Sequence, residues 1–74
     1  MNWPARYELR IAEPLEGRLQ QWFLDLGFIP AQEHTGPGTL LRGMLSDPAA
    51  LFGALARVRD LNLTLLEVRR VEEG

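Results

Sequence analysis

A chain of 74 residues, 46% hydrophobic and 24% charged, has the composition of one globular domain spanning residues 1–74 and leaves no room for a second core. It contains no cysteine, which removes disulfides and thiolate metal sites from consideration. With a net charge of -2 the chain sets up no field that draws nucleic acid or an anionic membrane, so neither is expected as a partner.

The opening residues, MNWPARYELR, show no basic segment running into an apolar one, and no stretch approaches the roughly 20 apolar residues needed to cross a bilayer. A cytoplasmic location is the expectation. A core this small leaves little net stability once the entropy of ordering the chain is subtracted, and self-association is one way to bury more surface.

Tyr7, Leu9 and Ile11 alternate with Arg6, Glu8, Arg10 and Ala12, which predicts a first strand over 5–12 with its apolar side buried. The period then changes. Leu15, Leu19, Trp22, Phe23 and Leu26 line one side of a helix predicted over 14–26, with Pro14 in the first turn, a helix-weakening Gly17 inside and Gly27 after the end.

Thr35-Gly36-Pro37-Gly38 is a turn signal between two segments of strand character, and Pro30 in the earlier one demotes it to the edge of a sheet. In the later one Leu41, Gly43 and Leu45 point one way and Leu40, Arg42 and Met44 the other. Asp47 is a capping residue and Pro48 suits a first helical position, so a second helix is predicted over 48–60 with Leu51, Phe52, Leu55 and Val58 at helical spacing. Asn62 can adopt the left-handed conformation that stops it, and a last strand follows over 63–71 with Leu66 and Val68 on the buried side.

The order strand, helix, strand, strand, helix, strand predicts an α+β, ferredoxin-like βαββαβ sandwich: a four-stranded antiparallel sheet with both helices on one face. Right-handed crossovers place the first and third strands in the centre.

The other face of the sheet then carries Glu8 and Arg10, then Leu40, Arg42 and Met44, then Leu65, Glu67 and Arg69, a surface on which opposite charges can pair across strands. Trp3, Leu40, Arg42, Met44, Leu65 and Glu67 are the candidate interface, and a homodimer or another protein is the expected partner. Trp3 has a second use, capping the sheet end within its own chain.

RVRDLNLTLLEVRR, residues 57–70, resembles a basic anion site, but its residues have simpler uses. Arg57 and Arg59 fall in the last helical turn, where cations suit the carbonyl end, and Arg69 and Arg70 point to opposite faces of a strand. The single histidine, His34, lies beside a turn as exposed polar surface, and one imidazole does not make a zinc site. No nucleophile, base and orienting group share a pattern, so no catalytic residue, metal or cofactor is expected. The third strand offers no aromatic platform for single-stranded RNA.

EPLEGRLQQWFLDLGFIP resembles the first strand-to-helix segment of ACT domains, small-molecule regulatory modules, although Gly17 stands three residues after Pro14 instead of beside it. That resemblance implies a sensor for a small polar ligand at a subunit interface near residues 13–18 and 27–29, with Glu13, Gly17, Arg18 and Phe28 around it. DPAALFGALARVRDLNLTLLEVRRV is similar to the C-terminal half of short, uncharacterised bacterial proteins, which implies a fold and no activity. The function expected from the residues themselves is a non-catalytic, self-associating interaction module.

Overall fold

The computed structural model describes residues 3–72. Six elements follow one another: β1 (Ala5–Ile11), α1 (Arg18–Asp25), β2 (Phe28–Pro30), β3 (Thr39–Leu45), α2 (Pro48–Asp60) and β4 (Leu65–Val71). The strands form one antiparallel sheet in the order β2-β3-β1-β4, the ferredoxin-like arrangement, with β1 and β3 central as the crossover rule requires.

Alternation along β1 and β3 sets the inner layer. Leu9 pairs with Leu41 on one side and Val68 on the other, and Ile11 and Leu45 continue the same face. Phe23 of α1 and Phe28 of β2 fill the space over these strands and are fully buried with Leu9 and Leu41. Tyr7 joins this layer, and Trp3 stacks on it with ring centroids 5.9 Å apart while the Arg70 guanidinium covers the other ring.

α2 forms over the expected residues, with Asp47 accepting a hydrogen bond from the Ala50 amide at 3.0 Å and Asn62 left-handed after its end. Gly27, at φ 93, closes α1 in the same manner. Arg57 lies over the Trp22 ring at 5.5 Å, so Trp22 is a half-buried side chain between the helices and not part of the innermost core.

Several expectations need correction. α1 begins at Arg18, not Pro14, because the Leu15 amide donates to the Thr39 hydroxyl, which itself donates to the Glu13 carbonyl. Those backbone groups are tied to β3 instead of to a helical turn, and Gly17, at φ 58, occupies the N-cap. Leu15 is nevertheless buried.

Phe52 is 65% exposed: the inward stripe of α2 runs through Ala54 and Val58, and about 200° of helical turn separates Phe52 from Ala54. The last strand begins at Leu65 instead of residue 63, and on it Leu66 and Val68 are not buried but 52% and 38% exposed. A bulge explains Leu66, since Arg10 faces Glu67 and Ile11 faces Leu65, leaving Leu66 as the extra residue. His34 is half-buried instead of exposed, its Nε2 lying 3.4 Å from the Pro37 carbonyl oxygen.

Among the described residues no helix is long and apolar enough to cross a membrane.

Gly43 shows how closely β2 and β3 approach. A Cβ there would lie 2.6 Å from the Gly27 carbonyl oxygen and 2.9 Å from Phe28 Cδ1, backbone on one side and a core ring on the other. Gly43→Ala should therefore destabilise the fold by about 1–3 kcal/mol, read as a lower urea midpoint at unchanged slope; an unchanged midpoint would mean that β2 moves aside freely.

Candidate functional site

The sheet face opposite the helices is built on β1, whose alternate residues Arg6, Glu8 and Arg10 project there. Register places Met44, Arg42 and Leu40 of β3 beside them in that order, and Val71, Arg69 and Glu67 of β4 on the other side. The central position of this array is acidic and both of its neighbours are basic.

Arg42 Nε donates to Glu8 Oε2 at 2.6 Å, and Arg69 Nη2 donates to Glu8 Oε1. Arg42 reaches further with Nη1, which donates to both oxygens of Glu33 at 2.8 and 2.7 Å. Arg10 and Glu67 form a looser pair at 3.9 Å. A ladder of alternating charge, Glu33, Arg42, Glu8, Arg69, thus crosses three strands. Under it Glu8 is only 7% exposed, although its face of the sheet carries no helix.

The hydrogen bond from Arg69, followed by that from Arg42, holds the Glu8 carboxyl below the ordinary range. Glu33 is lowered chiefly by Arg42.

Of the candidate interface residues, Leu40, Arg42, Met44 and Glu67 share this face. Leu65 does not: the bulge sets it opposite Ile11, on the helix side of the sheet, because one inserted residue reverses the alternation. Trp3 is packed against Tyr7 and Arg70 of its own chain, the capping use. Arg42 and Glu67 both engage charges of their own chain.

The residues implied by the ACT resemblance are put to other uses or exposed. Glu13 accepts from the Thr64 amide and hydroxyl, both at 2.8 Å, which lowers its pKa and pins the turn before β4. Phe28 is fully buried in the core and offers no side-chain surface, while Gly17 and Arg18 are exposed at the start of α1. The basic run is dispersed, with Arg57 over Trp22, Arg59 against Asp60, and Arg69 and Arg70 on opposite faces. Among the described residues no three His, Cys, Asp or Glu side chains are placed to hold a metal.

Beside the ladder a groove of about 550 Å³ runs along the β2–β3 edge, lined in part by Ile29, Pro30, Met44, Arg6 and Arg42. Ile29 and Met44 are 62% and 52% exposed. Sequence reasoning did not find Glu33 or the burial of Glu8. The alternation of charge across strands marked the Glu8 pairs, but Glu33 comes from a loop whose path no periodicity specifies.

Removing the hub tests the ladder. Glu8→Gln should lower Tm by about 5–10 °C at neutral pH, since losing charge-assisted hydrogen bonds to half-exposed arginines costs about 1–2 kcal/mol in a domain this small. Glu8 binds its proton more weakly folded than unfolded, so its contribution is complete above the unfolded carboxyl's pKa of about 4.3 and disappears as pH falls through the lower, folded value. Thermal melts between about pH 7 and pH 3 should show a shallower acid limb for Glu8→Gln than for the parent chain; parallel limbs would mean that Glu8 carries none of the acid sensitivity.

No curated protein and no solved structure matches the chain. Residues 6–69, which take in all of the sheet except the ends of β1 and β4, match a family described only as a domain of unknown function, DUF8691. With that span covering most of its length, the chain belongs to the DUF8691 family.

Proposed function

We propose that this protein is a non-catalytic interaction module that associates with a second copy of itself through β4 and α2. The observation that carries this reading is where the exposed apolar side chains lie. Of the seven large apolar side chains exposed among the described residues, Phe52, Leu65, Leu66 and Val68, at 65%, 38%, 52% and 38%, come from α2 and the edge strand it leads into, and the other three are divided among α1, β2 and β3. Exposed apolar area of this kind is a usual mark of an interaction surface, and a small core gains most from covering it.

The charged groups support the non-catalytic part of the reading. Among the described residues Glu8, Glu13 and Glu33 are the carboxyls whose pKa values are displaced, and all are displaced downward by donors that hold them in place. A general acid or base working near neutrality needs the opposite displacement.

A second reading, a sensor of small polar molecules as the ACT resemblance implies, is favoured by one observation: the groove takes in Gly27 and Ile29 of the implied ligand region, with Arg6 and Arg42 on its wall. A panel of amino acids and nucleotides decides it, because a ligand bound only to the folded state raises Tm with the logarithm of its concentration.

Native mass spectrometry tests the leading reading. The parent chain should appear as a dimer, and Phe52→Asp combined with Leu66→Asp should give a folded monomer whose Tm is lower and no longer depends on protein concentration, both side chains being more than half exposed so that neither change opens the core. A monomeric parent would overturn the proposal.

A further inference from the structure

The outer edge of β4 specifies its own partner strand. Among the described residues the sheet ends at β4, which pairs there with β1 alone, whereas the opposite edge, β2, is three residues long and contains Pro30. A long edge strand without proline is a template for another strand. Its sequence, LLEVRRV, restricts which one.

Resting on the self-association proposed above, we infer that two copies join β4 to β4, antiparallel, about a two-fold axis through Val68, making one continuous eight-stranded sheet with all helices on one side. In such a sheet facing residues share a face, so a symmetric pairing is described by the residue that meets itself on the axis.

Centring on Glu67, Arg69 or Arg70 sets like charges directly against each other, which is destabilising. Centring on Leu66 uses the bulge residue, and centring on Leu65 or Val71 leaves most of the strand unpaired. Val68 is the midpoint of β4, and this register sets Glu67 of each copy opposite Arg69 of the other, twice.

Neither side chain is used up within its own chain. Arg69 and Glu67 are 59% and 49% exposed, Glu67 meets Arg10 only loosely at 3.9 Å, and Arg69 uses Nη2 toward Glu8, leaving other donors of its five. The ladder that starts at Glu33 would then run without a break from one copy into the next. On the helix side, Val68 would meet Val68.

The chain has no cysteine, so single cysteines report the register without background. Full-length Val68→Cys, oxidised at micromolar concentration, should convert mostly to a disulfide-linked dimer, because residues facing across an axis lie within disulfide reach. Met44→Cys, on the open face, should stay near the background of a non-associating protein.

Adding Glu67→Arg to Val68→Cys should reduce cross-linking several-fold at low salt and recover part of it at roughly 0.5 M salt, where the like charges are screened. Cross-linking at 44 but not 68 in a dimeric protein would overturn the edge register while leaving self-association standing. A monomeric parent chain would remove both. Cross-linking at 68 that is indifferent to Glu67→Arg would overturn the charge-set register.

Discussion

The carboxylate of Glu8 stands at the middle of the central strand, and each of its oxygens is taken by a guanidinium from a different neighbouring strand. A nearly buried carboxylate without such partners is strongly unfavourable, so the alignment of β3, where Arg42 is flanked by Leu41 and Gly43, is under a constraint that Glu8 sets. Slipping β3 by one residue would turn Arg42 to the helix side and set Leu41 or Gly43 beside Glu8, whereas a slip of β4 in one direction would replace Arg69 with Arg70. The polar face thereby fixes the apolar one. The same register that satisfies Glu8 sets Leu9 against Leu41 and Val68 on the helix side of the sheet.

Because the ladder consumes its own charges, the middle of the open face is a poorer docking surface than its composition suggests. A partner placed there would have to compete with Glu33 and Glu8 for Arg42, and with Glu8 for Arg69. Apolar exposure lies instead toward the two edges of the sheet, with Ile29 and Met44 near β2, and Leu65, Leu66 and Val68 on β4. The edges differ in kind. Pro30 and the shortness of β2 blunt one, while on β4 only a bulge at one end and three charged side chains interrupt an otherwise open strand.

Element order, strand order, the facing of β1 and β3, and the caps of α2 were all legible in the sequence, because each rests on local signals: a period of two, a period near 3.6, or a capping residue beside a proline. The failures share a different cause. The late start of α1 depends on the Thr39 hydroxyl, distant in sequence, holding Leu15 and Glu13. The bulge at Leu66 depends on how β4 meets β1, so the reversal of Leu65 could not be seen in β4 alone. Phe52 looked like core by spacing, yet the small Ala54 marks the line along which α2 comes closest to the core. For the open face, alternation placed Glu8 between two arginines, but its burial follows from their side chains lying across it, a tertiary effect.

In the proposed pair, fold and assembly would draw on the same groups. Arg69 would hold Glu8 of its own chain and Glu67 of the second copy, so the intrachain bond limits the rotamers of the group that the partner meets. An arginine already ordered by Glu8 loses less freedom on binding than a free one, which favours association by preorganisation. The sign of the acid response then follows for both processes. Protonation of Glu8 would release Arg69 from the position in which it faces Glu67, so the lowered carboxyl that protects the register of the sheet would protect the contact between copies over the same range of pH. In that pair β4 would answer the hazard of an open edge by choosing a partner, where β2 answers it by being short.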